Sequence, residues 1–546
     1  MKFTAIFLVM ALAAPGQEAP VFRSDTRLVE VQVVVTGRGG APVADLTLAD
    51  FTLTENGKPQ KIAFFAAPEA RKAVAAPKET LPAGIFTNRP EYTESRPRGV
   101  TAIVLDLLNT SIEDQAFMRY ELARFLKGLK DDDMVGLYVM GNQLRVIHEF
   151  TDDPKSLLKL AAQLRNEWPA SNVSREAEIR MAADLFDRLA MGGGAGEAGP
   201  GGDTGDQPRG GEEMERLMRE QRIMGTFGQL ELLAQHLAGV PGRKTLVWLG
   251  SGMAMSQVFR MGAARGPAGA RAARSRNYAN RFERAQSILA DANVAVYPVD
   301  ARGLRVENDA PMYGPLVNRG GRPAFNRMLF EALQAETHSL MNFMAEATGG
   351  RAIYNTNDIS GGLRRAADDA GANYTLSYYT ALDDSAAKRE LRVKVNRGGT
   401  SVLARRRVPM ERRDGLMEIH SLLDSPIVST GVLINGRVTR REGELAVLLQ
   451  IEPGSLLLTR KGAHTEGLVE VYLAQILPSG ERRVADARLE LRLTEAEVAK
   501  VVEQGLVYER TLPLVAEAER LRVVVRDARS GASGTFDAPV RLMGVE

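Results

Sequence analysis

Thr101-Ala-Ile-Val-Leu runs without a charge straight into Asp106, and then into Leu107-Leu-Asn-Thr-Ser111. An uncharged, mostly aliphatic run of this kind suits a parallel strand covered on both faces. Open α/β sheets bind ligands at the carboxyl ends of such strands, so Asp106 emerges where a metal or a polar partner would be held. The rest of the chain has to supply the helices that cover this strand.

From 100 to 372 it does. Ser111 and Asp114 predict a capped start for a helix whose apolar face is Met118, Leu122, Phe125, Leu126 and Leu129. Val135 to Met140 and Leu144 to Phe150 read as strands joined at Gly141-Asn142, and Asp153-Pro154 opens a further helix. A helix ending near Gly239 precedes the strand Thr245 to Leu249. Phe282 to Ala292 reads as helix, Val294 to Asp300 as strand, and a helix through Phe343 leads to a strand at Arg351 to Tyr354. Strands alternating with helices predict right-handed crossovers and a doubly wound, mostly parallel sheet.

At 546 residues the chain is too long for one core, and about 150 residues per domain suggests three or four domains. Residues 21–66 read as a small β-sandwich-like module, with an Asn56-Gly57 hairpin signal, and 67–99 as a linker. Two insertions interrupt the α/β domain: a glycine-rich one at 191–213, and one at 253–284 with seven arginines against the single acid Glu283. The strands of 373–412 are candidates to pair with the N-terminal module. Residues 413–546 read as a C-terminal β-sandwich with a short helix at Glu495 to Glu503.

Residues 1–16 fit a signal peptide: a positive start at Lys2, an apolar run from Phe3 to Ala14, and small residues at Ala11-Leu12-Ala13. That run is too short to span a bilayer, so the expectation is an exported chain, periplasmic or extracellular, with no stable membrane insertion after cleavage. Cysteine is absent, which excludes disulfides and thiolate chemistry. A net charge of +2 gives no ground for nucleic acid as a partner.

The blocks Asp106-Leu-Leu-Asn-Thr, Asp133-Met-Val-Gly-Leu-Tyr-Val, Pro241-Gly-Arg-Lys-Thr-Leu-Val-Trp, Ala292-Asn-Val-Ala-Val-Tyr-Pro-Val-Asp and Ala347-Thr-Gly-Gly-Arg resemble the von Willebrand factor A fold. More narrowly they resemble the bacterial exported proteins called VWFA-related domain proteins, over about 21–412, Asp50-Phe and Glu55-Asn-Gly-Lys-Pro-Gln included. The resemblance implies a metal-ion-dependent adhesion site: an Asp-x-Ser-x-Ser loop, a Thr from a second loop, and an Asp after a later strand. Such oxygen ligands suit Mg²⁺ with one position left for a partner's carboxylate. Asp106 matches the first ligand, Thr110 stands for the second hydroxyl, and Thr226 is the candidate second-loop Thr. Leu108 replaces the first serine, and Leu249-Gly250-Ser251-Gly252 stands where an Asp-Gly is expected. With two or three ligands instead of five, strong Mg²⁺ binding is not expected; the preferred reading is that Asp106 and Thr110 cap the following helix and hydrogen-bond its loop.

The functional expectation is a non-enzymatic, exported module that binds a protein partner through the edge carrying Asp106, Asn109, Thr110, Thr226 and Ser251. Arg271, Arg274 and Arg276 would draw an acidic partner. The competing class is a structural or assembly component of the envelope with a vestigial site. A serine hydrolase using Ser251 is the enzymatic alternative, but Gly250-Ser251-Gly252 lacks the Gly-x-Ser-x-Gly elbow. Gly242-Arg-Lys244-Thr245 precedes a strand and cannot open a helix onto phosphate. Met253 and Met255 are too few for a Cu(I) site. The five histidines, at 148, 236, 338, 420 and 464, show no ligand spacing.

Overall fold

The computed structural model describes residues 26–68, 81–82, 84–89, 99–130, 133–167, 209–240, 242–251, 268–304, 323–381, 389–406, 416–425 and 427–545. The expected leader, Met253 and Met255, and most of the 191–213 insertion lie outside them.

The chain opens with β1 (Thr26–Thr36), β2 (Phe51–Glu55), β3 (Lys58–Gln60) and β4 (Ile62–Ala66). Asn56 and Gly57, both at positive φ (48° and 77°), make the β2–β3 turn. Next comes β5 (Ile85–Thr87), inside the stretch read as a linker. The α/β domain follows: β6 (Gly99–Asp106), α1 (Ile112–Lys127), β7 (Met134–Met140), β8 (Leu144–Thr151) and α2 (Pro154–Glu167). It continues with α3 (Arg209–Leu237), β9 (Arg243–Gly250), α4 (Ala268–Asp291), β10 (Val294–Asp300), α5 (Pro323–Thr348) and α6 (Ile359–Gly371).

The central sheet runs β10-β9-β6-β7-β8, parallel except for β8 at one edge. Every residue of β6 after Gly99 is buried, as are all of β9 and β10. Alternate residues feed two cores. Ala102, Val104, Leu246 and Trp248 pack towards α3 and α4; Ile103, Leu105, Val247 and Leu249 pack towards α1 and α6. The sheet is doubly wound, with the fold class α/β as expected. A Cβ on Gly99 would lie 2.2 Å from the Ala370 carbonyl, so only glycine lets the end of α6 close onto the start of β6.

Two local readings change. Arg351 to Tyr354 does not form a strand: Ile353 makes a single parallel bridge to Val299. Extension stops because Asn355 turns to a φ of 52°. The insertion expected at 253–284 is also shorter, because α4 begins at Ala268, and alanine and arginine are good helix formers.

After α6 come β11 (Asn373–Ala381), β12 (Leu391–Val395) and β13 (Ser401–Leu403). β11 pairs with β1 over Thr26 to Val34, and β12 pairs with β2. The N-terminal sandwich is therefore built from both sides of the α/β domain, around Val31, Val33, Leu53, Tyr374, Leu376 and Tyr378. The tail holds α7 (Leu416–Asp424), β14 (Ile434–Arg441), β15 (Glu444–Ile451), β16 (Thr459–Lys461), β17 (His464–Ile476) and β18 (Arg482–Leu493). It closes with α8 (Glu495–Gln504), β19 (Leu506–Pro513), β20 (Arg520–Asp527), β21 (Ser533–Pro539) and β22 (Gly544–Val545). Two sheets enclose one core of Val438, Val447, Leu473, Val523 and Phe536. Residues 416–424, expected among strands, are helical.

β5 corrects the linker reading most. It pairs antiparallel with β14, and Asn88 just beyond it is buried. The Asn88 amide donates to the carbonyls of Ser429 (2.8 Å) and Val432 (2.7 Å), and its oxygen accepts from the Ile434 amide (2.7 Å). Asn88→Ala removes a hydrogen bond from each of these three backbone groups, of which the Ser429 carbonyl keeps the Thr535 amide (2.9 Å), and is expected to cost about 2 kcal/mol in urea unfolding and to open this segment to limited proteolysis. A variant as stable and as resistant as the parent would show that the segment is only laid on the sandwich.

Candidate functional site

The carboxyl edge of the sheet gathers five of the residues singled out by sequence. Asp106, Asn109, Thr110, Thr226 and Ser251 are all at least 95% buried, Thr110, Thr226 and Ser251 completely. Asp106 ends β6, Asn109 and Thr110 lie in the turn before α1, Thr226 sits in the middle of α3, and Ser251 follows β9.

The Asp106 carboxylate is surrounded by nitrogen donors. Trp248 Nε1 donates to Oδ2 at 3.0 Å, and the Asn109 backbone amide donates to Oδ1 at 3.0 Å. The Asn109 side-chain nitrogen reaches both carboxylate oxygens, at 3.0 and 2.8 Å, and Thr226 Oγ1 at 2.9 Å. The direction of that last bond is fixed, because Thr226 Oγ1 gives its own hydrogen to the Arg222 carbonyl at 2.8 Å and must accept from Asn109. Two amide hydrogens thus serve three acceptors, one of them shared between the carboxylate oxygens.

The hydroxyls are committed as well. Thr110 Oγ1 donates to the Asp106 carbonyl and accepts from the Ser251 amide at 3.3 Å. Ser251 Oγ donates to Asp114 Oδ2 at 3.2 Å, and Ser111 Oγ to the same oxygen at 2.9 Å. Ser111 also caps α1, accepting from the Asp114 amide at 3.3 Å. Ser251 therefore faces a carboxylate inside the fold, an acceptor with no imidazole between them to act as base.

Burial drives the Asp106 pKa upward, and the hydrogen bonds from Asn109 and Trp248 offset only part of the rise. A Cβ on Gly250 would stand 2.9 Å from the Asp106 Cβ and 3.2 Å from Thr110 Oγ1. Hence the acid expected near 250 has no room at that position. The residues do not fit a divalent cation: the Asn109 amide lies between Asp106 and Thr226, where a shared ion would need oxygen ligands. Among the described residues no group of three or more His, Cys, Asp or Glu side chains is arranged to hold a metal.

The sequence also offers Arg271, Arg274 and Arg276. They lie in the N-terminal part of α4, which returns the chain from the end of β9 to the start of β10 and so begins on the same side of the sheet. Leu108 is half-buried at the edge, where the first serine of the motif would stand. Sequence reasoning missed Trp248. The available signal was an indole in an otherwise aliphatic strand, since a buried Trp N–H needs an acceptor.

No family model and no curated protein matches the chain. Solved structures do. The chain resembles an aerotolerance-related membrane protein from Bacteroides fragilis at 14% identity, over 50% of this chain and 99% of that one, with a TM-score of 0.23. It also resembles the manganese-loaded TRAP protein of Plasmodium vivax (9% identity, 59% and 94% covered, TM-score 0.20). A von Willebrand factor type A structure from Catenulispora acidiphila is 10% identical, with 86% and 74% covered and a TM-score of 0.16. Scores this low carry no argument about function. What the chain itself shows is the strand order β10-β9-β6-β7-β8, with the antiparallel strand at one edge.

Asn109→Ala removes the side-chain donor shared by Asp106 and Thr226. The carboxylate then stays buried with less support, at an expected cost of about 2 kcal/mol at pH 7. Asp106 holds its proton more tightly when folded, so the cost should shrink as pH falls below its raised pKa. Urea unfolding followed from pH 7 down through the acid range measures both; a cost that stays constant over the whole range would remove Asp106 from the account.

Proposed function

We propose that this protein is an interaction module of von Willebrand A type, with a degraded adhesion site, that takes a protein partner at its carboxyl edge without a metal ion. The carrying observation is the Asp106 carboxylate, whose oxygens receive hydrogens from Trp248 and from Asn109. In a working adhesion site the cation answers that carboxylate and offers its last position to an acidic group on the partner. Here an amide answers it, and an amide has no coordination position to offer.

Attraction for an acidic partner then has to come from elsewhere. Arg271, Arg274 and Arg276 near the N-terminus of α4 add to the positive end of that helix's dipole, which favours an anion. Export belongs to the same proposal and is supported by the leader read at 1–16.

One observation favours the assembly reading: the hydroxyls of Thr110, Thr226 and Ser251 are all spent on internal bonds, so the edge also serves as plain structural support. Capture of an acidic peptide panel by the full chain separates the two. Binding should be equal in Mg²⁺ and in EDTA, and should fall about tenfold when Arg271, Arg274 and Arg276 are all changed to Glu. Loss in EDTA overturns metal independence. Binding unchanged by charge reversal overturns the role of the arginines, and no capture at all favours assembly.

A further inference from the structure

The contact between the α/β domain and the C-terminal sandwich joins apolar packing, Ile427 on the α/β core and Leu232 against Leu422 and Val524, to specific polar bonds. The end of α3 meets the segment before β14. The Thr430 amide donates to the Gln235 carbonyl (3.0 Å), and Thr430 Oγ1 donates to the His236 carbonyl (2.6 Å) while accepting from the Gly239 amide (2.7 Å). Ser533 Oγ of β21 donates to Gln235 Oε1 at 2.9 Å. A Cβ at Gly239 would lie 2.4 Å from the Thr430 carbonyl, so the two backbones touch. None of these bonds involves a group that titrates near neutrality.

His236 is the exception. Its ring is buried, with Nδ1 2.6 Å from the Val428 carbonyl of the sandwich. Because a carbonyl only accepts, Nδ1 carries a hydrogen in either charge state of the ring. Nε2 points back into the α/β domain, 3.1 Å from the Tyr138 hydroxyl of β7 and 3.5 Å from Glu149 Oε2 of β8.

We infer that His236 is a proton-operated latch that holds the C-terminal sandwich on the α/β domain more tightly in acid than at neutral pH. In the neutral ring Nε2 presents a lone pair, which Tyr138 can satisfy but which repels the Glu149 carboxylate. Gaining a proton turns that repulsion into an ion pair. The same charge makes the Nδ1–H bond to Val428 charge-assisted, and such bonds are roughly twice as strong as neutral ones.

The surroundings point the same way. Tyr138 is held neutral by burial and by the Glu149 charge, which push its pKa well up. His148 precedes Glu149 on β8, its Nδ1 2.6 Å from the Glu149 carbonyl. On the sandwich side the neighbouring Ile427 carbonyl is gripped by Arg522 (2.9 Å), itself paired with Asp537 (2.7 Å). Arg522 also donates to the Leu422 carbonyl at 2.8 Å, so it fixes the loop from two sides. Burial alone would lower the His236 pKa, but the Glu149 hydrogen bond and charge and the Val428 carbonyl outweigh it, and the net shift from 6.5 is upward. Measured against the unfolded chain, a raised folded pKa means that the charged ring adds stability fully below about 6.5 and loses it as pH rises through the folded value; the part that reaches the sandwich is the charge-assisted bond to Val428.

Hydrogen exchange on the full chain reads this directly at the Thr430 amide and its neighbours. After correction for the intrinsic exchange rate, protection there should be on the order of five times higher at pH 5 than at pH 8. His236→Gln should make protection equal at the two values. Glu149→Gln, at an exposed position of β8, should move the midpoint to lower pH, and it decides the matter if the His236 variant fails to fold. Protection that is flat with pH in the parent overturns the inference. So does a pH response that survives in His236→Gln, or a midpoint unmoved in Glu149→Gln.

Discussion

A parallel sheet wrapped on both faces sorts helix ends by charge, and the rest of this molecule is arranged around that sorting. Each crossover helix starts on the carboxyl side of the sheet and ends on the amino side, where its last carbonyls collect as partial negative charge in a dry region. Buried cations answer them one by one. Lys244 donates to the Val240 carbonyl at 2.8 Å beyond α3, Arg405 to Ala290 at 2.8 Å near the end of α4, and Arg243 to Gly349 at 2.7 Å after α5. At α6 an uncharged group does the same, Asn373 Nδ2 to Ala370 at 2.8 Å. The opposite edge carries acids. Asp114 stands at the start of α1, Asp358 caps α6, and Asp106 lies between.

These cations also tie the modules together. Arg405 follows β13 in the N-terminal sandwich and reaches both the Glu30 carbonyl of β1 and the Ala290 carbonyl of α4. A guanidinium can do this because its fork addresses two acceptors at once without losing its charge. Lys244 is the cheaper and weaker device: burial draws its pKa down to about 8, so the ammonium is held against a desolvation cost. Arg243 shares its hydrogens with the Tyr297 hydroxyl, which donates in turn to Asp369 at 2.8 Å, so β9, β10 and α6 are pinned at one point.

What was legible in the sequence follows from what is local. The β6 run could be read because burial on both faces writes itself as an unbroken apolar stretch, and the α1 cap because Ser111 and Asp114 are three apart. Asp106, Asn109, Thr110, Thr226 and Ser251 could be placed together because strand ends and the helices between them converge on one edge. The chemistry of that edge could not be read. Whether Asn109 turns its nitrogen or its oxygen inward is settled by Trp248 and Thr226, which are remote in sequence. β5 escaped notice because three residues carry no period, and its partner β14 lies more than 340 residues away. His236 looked like an ordinary helical histidine because Val428 is 192 residues distant.

One helix joins the two polar clusters. Thr226 accepts from Asn109 in the middle of α3, and His236 meets Val428 at its end, about 15 Å further along at the usual helical rise. Between them Phe227, Leu230, Leu233 and Leu237 are fully buried against the sheet and α4. A packed interior of this density does not bend to accommodate a shift at one end alone. Sliding α3 along its axis would break the Asn109–Thr226 bond and the His236–Val428 bond together. The amide-filled carboxyl edge and the seat of the C-terminal sandwich are therefore two ends of one rigid body, and whatever stabilises either end holds the other in register.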